Sequence, residues 1–245
     1  MATLAARVVQ LTDTHFSARL GMPAEWPATR DWLLAAPPDL VVHTGDIVLG
    51  DPDDENDRAF AGELLEQLPA PLLAVPGNHD AGFYGEDADR PRRLDAFRRA
   101  WGDDRFIVEV AGWRLVGVNC YLLGDAEHDA WLADAVDSNE PVAVFIHQPI
   151  VGEPADGWET PRPAAEAFRR ATVGADVEVI ASGHRHRSAH LGRAVWAPSL
   201  TIPGDDWGDH PSDPRCGIVE HRLDADGGYR HRIVRPWEEM LAVSA

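Results

Sequence analysis

Five short polar clusters punctuate the chain: Asp13-Thr14-His15, Gly45-Asp46, Gly77-Asn78-His79-Asp80, His147, and Gly183-His184-Arg185-His186. Taken singly, each has an ordinary reading as a helix cap, a turn or a satisfied buried imidazole. Taken together, they offer carboxylate oxygens, an amide oxygen and neutral imidazole nitrogens. That donor set suits divalent ions such as Mn, Fe, Zn or Co, and no thiolate accompanies it to favour a softer metal. Asp13, His15, Asp46, Asn78, His147, His184 and His186 are more ligands than one ion needs. Two ions roughly 3.5–4 Å apart, with one carboxylate bridging them, would use the whole set.

Something must bring five distant clusters together. Each follows a short apolar run: "RVVQL", "LVVH", "PLLAV", "VAVFI" and "VEVIA". Such runs predict buried strands with functional residues on the loops at their carboxyl ends, converging on one edge of a sheet. Helical stretches are expected near 25–36, 56–68, 91–101, 127–138 and 163–172. The alternation implies α/β layering, in which ligands bind outside the carboxyl ends of strands. "RFIVEVAGWRLVGVN" reads as a hairpin turning at "AGW". After residue 183 the chain reads as successive strands with turn signals such as "DADGG"; with the hairpin, the second half supplies a partly antiparallel sheet packing on the first. Without a linker or repeat, a single domain over 1–245 is expected.

Composition narrows the partners. The net charge is -19, with 41 acidic residues against 22 basic ones, all of them arginine. Such a surface repels phosphate backbones and disfavours a nucleic-acid polymer as partner. A small anionic substrate would then need a locally positive site, which metal ions supply. Cys120 and Cys216 have no companion ligands nearby and read as packing residues. Neither a signal peptide nor a run of about 20 apolar residues is present, so the expectation is no membrane and a cytoplasmic location.

The ordered motifs resemble those of the calcineurin-like metallophosphoesterases: Asp-x-His, Gly-Asp, Gly-Asn-His-Asp/Glu, a lone His, and Gly-His-x-His. "TDTHFSA", "LAVPGNHD", "HDAWLADAV" and "APSL" place the resemblance nearest the bacterial cyclic-nucleotide phosphodiesterase branch. It implies a four-layer αββα sandwich, an α/β fold with two mixed β-sheets flanked by helices. It implies that Asp13, His15 and His186 hold one ion, Asn78, His147 and His184 the second, and that Asp46 bridges them. His79 would protonate the leaving group and Asp80 would orient it and hold it cationic. Two divalent cations, two carboxylates and a bridging hydroxide sum formally to about +1, a site that attracts a small phosphate ester. The expected activity is hydrolysis of small-molecule phosphodiesters, cyclic nucleotides among them, by attack of that hydroxide. A phosphomonoesterase on the same site is the alternative enzyme. A non-catalytic metal-binding module is the alternative from another class, though a scaffold has no use for the proton donor His79.

Outside the motifs, His43 lies within an apolar run and reads as a core or supporting residue. Strand alternation places His190, His221 and His231 on a solvent face. The arginines of 90–99 read as a solvated helix face. Trp158 and Trp207 lie in loops where an indole can stack a nucleobase, and His210 lies in a loop that can reach the site mouth. Gln148 stands where many relatives have a second His, and Val48 and Leu49 stand where polar residues are common.

Overall fold

The computed structural model describes residues 5–85, 87–150, 158–205 and 212–243. In chain order it has β1 (Ala5–Leu11), α1 (Trp26–Ala35), β2 (Leu40–His43), α2 (Glu55–Leu65), β3 (Leu72–Ala74), α3 (Asn78–Ala81), α4 (Arg90–Trp101), β4 (Phe106–Val110) and β5 (Trp113–Val118). There follow α5 (Ala126–Val136), β6 (Val142–Ile146), α6 (Arg162–Ala171), β7 (Val177–Ser182), β8 (Ala189–Leu191), β9 (Ala194–Trp196), β10 (Ile218–Asp224), β11 (Tyr229–Val234) and α7 (Pro236–Val243).

Local chemistry sets several boundaries. Asp54 and Asp125 accept the first free N–H groups of α2 and α5, satisfying donors that no helical carbonyl can reach. Pro27, Pro91 and Pro163 stand in the first turns of α1, α4 and α6, where the missing N–H is not needed. Ala111 and Gly112, with φ of 53° and 78°, form the two-residue turn between β4 and β5. Positive φ at both positions matches the twist of the paired strands.

The strands form two mixed sheets, in the orders β11-β10-β1-β2-β3 and β4-β5-β6-β7-β9-β8. Three apolar clusters fill the spaces between layers. One, with Val8, Val42, Trp113, Phe145, Val179 and Val219, lies between the sheets. The others seat α5 and α6 on the second sheet through Leu132 and Phe168, and α1, α2 and α4 on the first through Leu33, Leu64 and Phe97. The result is the expected αββα layering. Central strands are buried on both faces, which explains their unbroken apolar runs.

The second half supplies a partly antiparallel sheet packed on the first, as expected, but its last two strands leave that sheet. β10 lies antiparallel against β1, and β11 against β10, so both extend the first sheet, while β8 and β9 extend the second. His221 therefore sits on an inner strand facing the other sheet, and it is buried rather than solvent-facing.

Candidate metal centre

Asp13 follows β1, Asp46 follows β2 and Asn78 follows β3, while His147 follows β6 and His184 and His186 follow β7. The strand ends thus belong to two sheets, not to one edge as the runs alone suggested. Hydrogen bonds stitch these loops together, both within and between the sheets. The His184 amide donates to Asp13 Oδ2 at 2.9 Å, His147 Nδ1–H donates to the Thr44 carbonyl at 2.8 Å, and the Gly183 amide donates to the His147 carbonyl at 2.9 Å.

Two motif glycines permit this approach. A Cβ on Gly77 would lie 2.1 Å from Asp46 Oδ1, and one on Gly183 would lie 2.0 Å from Thr12 Oγ1. The loops also hold unusual backbone. Asp13, His15, Asp46, His184 and His186 all have positive φ, between 44° and 67°. Ala111 is the other such non-glycine residue among those described. Left-handed backbone at such residues costs on the order of 1–3 kcal/mol each and persists where the surroundings enforce it.

The side chains fall into two adjoining groups. In the first, His15 Nε2 is 3.0 Å from His186 Nε2, and His186 Nε2 is 3.3 Å from Asp13 Oδ1. In the second, His147 Nε2 is 3.1 Å from Asn78 Oδ1, 3.1 Å from His184 Nδ1 and 3.5 Å from Asp46 Oδ1. The other Asp46 oxygen, Oδ2, is 4.0 Å from His15 Nε2, so this carboxylate faces both groups. Donors sharing one ion at about 2.1 Å sit roughly 3.0–3.4 Å apart, and the pairs here match that spacing. Asp13 Oδ1 is buried without a hydrogen-bond partner, an expense that a cation would remove. Neighbouring groups aim the donors: Thr12 Oγ1–H takes Asp13 Oδ2 at 2.6 Å, which leaves Oδ1 for the site. These residues fit a pair of divalent ions.

Electrostatics follow from burial and proximity. Burial opposes ionisation of Asp13 and Asp46, yet His186 beside the first and His147 beside the second hold both well below the usual carboxylate range. Burial alone would depress His147, but Asp46 raises it to about 9, so without an ion a proton occupies that position. Burial lowers His15 to about 4 and, with the His147 charge, His184 to about 3, keeping both neutral as metal ligation requires.

Asp80 is not set against His79 as the resemblance implies. His79 Nδ1–H donates to the Leu49 carbonyl at 2.7 Å, and its ring meets His15 edge-on at 4.8 Å. The Asp80 carboxylate is turned to the backbone, accepting from the Gly77 amide at 2.9 Å and the Ile47 amide at 3.1 Å. Asp80 therefore ties the Asp46 loop to the Asn78 loop, and Leu49 is what orients His79. Burial and the Asp46 charge push Asp80 up to about 7. His79 also forms a possible ligand group with His15 and Asp46.

Around the centre, His43 is buried, its Nδ1 accepting from the Gly45 amide at 3.1 Å and its Nε2 3.1 Å from Thr14 Oγ1. This is the supporting role expected of it. Arg185 lies 4.7 Å from the Trp196 ring, packed beneath the loop. The Trp158 ring sits 5.2 Å from His184. Trp207 and His210 lie outside the described residues. His190 remains exposed, against His231. Arg92, Arg98 and Arg99 lie exposed on the solvated helix face expected of them, Arg92 pairing with Asp53 together with the half-buried Arg93. Sequence reading missed Thr12, the carbonyls of Thr44 and Leu49, and Ser199, whose hydroxyl donates to the Asp13 carbonyl at 2.7 Å. Backbone carbonyls leave no residue-type signal. Only the hydroxyls beside the motifs could have been suspected.

The model of calcineurin-like phosphoesterases matches residues 6–188. The chain belongs to this family. It is 28% identical over 174 residues to the "Serine/threonine-protein phosphatase CPPED1" of Danio rerio, covering 62% of this chain and 55% of that one. It is 24% identical over 214 residues to a Synechococcus protein named "Probable cyclic nucleotide phosphodiesterase", covering 80% and 76%. The chain spans about half the length of the CPPED1 relatives it matches. In fold it is similar to purple acid phosphatase PPD1 of yellow lupin, with a TM-score of 0.71 at 12% identity, covering 97% of this chain and 52% of that one. Among the described residues no helix is long and apolar enough to cross a membrane.

Proposed function

We propose that the chain, a single domain over 1–245, is a two-metal hydrolase of small phosphodiesters. Asp13, His15 and His186 hold one divalent ion, Asn78, His147 and His184 hold the other, and Asp46 lies between. The observation that carries the reading is the pair of adjoining donor groups, with Asp46 presenting one oxygen to each and Asp13 Oδ1 buried without a hydrogen-bond partner. When bound, the ions would supply an activated water as nucleophile and would draw charge from the phosphoryl oxygens. The chain's own residues do the rest. Asp46 is fixed by the His79 amide at 2.8 Å, so His79 and the bridging carboxylate move as one unit. With Nδ1–H on Leu49, His79 exchanges protons at Nε2, the atom that protonates the departing alkoxide.

The name of the Synechococcus relative supports the diester preference; a site near +1 takes a diester monoanion and a monoester dianion alike, so charge does not choose between them. The test is hydrolysis of a panel of cyclic nucleotides, acyclic diesters and monoesters by protein loaded with Mn2+ or Zn2+. Faster turnover of diesters is expected. Equal or faster monoester turnover, as the CPPED1 name would suggest, overturns the diester preference. No turnover of any aryl phosphate ester favours the non-catalytic module.

A further inference from the structure

His184 uses its two ring nitrogens in opposite directions. Nδ1 faces His147 Nε2 at 3.1 Å, inside the second donor group, while Nε2 faces Gln148 Nε2 at 3.1 Å. Gln148 is itself buried. A neutral imidazole carries one proton, so whatever Gln148 presents at Nε2 decides what Nδ1 can do. If the NH2 group faces Nε2, that nitrogen must accept. The ring proton then sits on Nδ1, between His184 and His147, and Nδ1 has no lone pair to offer. If the carbonyl oxygen faces Nε2, the proton sits on Nε2 and the Nδ1 lone pair is open. Amide oxygen and nitrogen are interchangeable in shape, so the hydrogen-bond network decides their placement. The outward atom, Gln148 Oε1, has no hydrogen-bond partner, so exchanging the two amide atoms breaks no other bond and His184 decides their placement.

We propose that Gln148 is a positioning residue: its amide oxygen accepts from His184 Nε2–H and fixes the tautomer that offers Nδ1 to a divalent ion. This rests on the two-ion reading. An acceptor behind a ligating imidazole orients the ring and raises its basicity, and its loss commonly weakens metal affinity 10–100-fold.

The test is calorimetric titration of metal-free wild type, Gln148→Leu and Gln148→Glu with Zn2+. A carboxylate can only accept, so Gln148→Glu should keep both ions as tightly as wild type. Gln148→Leu should bind one ion 10–100-fold more weakly and leave the other unchanged. Equal weakening in both variants means that the amide donates, and it overturns the proposal. So does wild-type affinity in Gln148→Leu, and either result leaves a two-ion wild type standing. A wild type that binds fewer than two ions overturns the two-ion reading itself. Should Gln148→Leu not fold, Gln148→Met, which keeps the side-chain length but has no oxygen to accept, takes its place in the titration with the same two outcomes.

Discussion

His79 is anchored at one ring nitrogen and free at the other. Its Nδ1–H is committed to the Leu49 carbonyl, so removing the side chain deletes a proton donor while the donor groups on either side of Asp46 stay in place. His79→Ala should retain both ions by elemental analysis and lose about 10²–10⁴-fold in turnover of alkyl esters, the usual worth of a positioned general acid. The loss should be smaller for aryl esters, whose leaving group needs no proton. Loss of an ion in this variant would instead make His79 a ligand, as its grouping with His15 and Asp46 allows.

The loops after β2 and β3 behave as one element because Asp80 joins them. Its carboxylate accepts the buried amides of Gly77, Ile47 and Val48. Asp80→Ala orphans these donors and should cost about 1–3 kcal/mol in urea unfolding, with Asp80→Asn losing less because it keeps an acceptor. Unchanged stability in the alanine variant would mean that the loops close without it. The sequence made these loops legible as places. Gly45-Asp46 and Gly77-Asn78 follow apolar runs, and the glycines mark where backbone meets backbone. It did not make the clasp legible, because the partners of Asp80 are amides that any residue type supplies. In the same way, alternation set the faces of β10 and β11 but not the sheet they join. Pairing depends on which strand edge is open in three dimensions. His221 was misplaced for that reason.

At the scale of the molecule, the fold packs two sheets face to face with their functional ends together, and a buried polar string runs between them. Tyr229 hydroxyl donates to His221 Nδ1, His221 Nε2–H donates to Gln10 Oε1, and Gln10 Nε2–H donates to Thr44 Oγ1. Thr44 in turn holds His147. Burial lowers His221 to about 3 in the folded chain, against an ordinary 6.5. The unfolded chain therefore binds the extra proton first as pH falls. The stability that His221 contributes is full above pH 6.5 and is lost as pH falls from 6.5 through 3, with a slope of up to about 1.4 kcal/mol per pH unit. In urea unfolding between pH 6 and pH 4, His221→Gln should lose stability less steeply than wild type. An identical slope would mean that His221 titrates normally.

The central claim is that seven side chains from five strand ends hold two ions. Titration of metal-free protein with Zn2+, read as bound ions per chain, tests it most directly. The account predicts two in the wild type and one tightly bound ion in each of His186→Ala and His184→Ala, because these histidines belong to different donor groups. A wild type that saturates at one ion, or either variant retaining two tight ions, would contradict it.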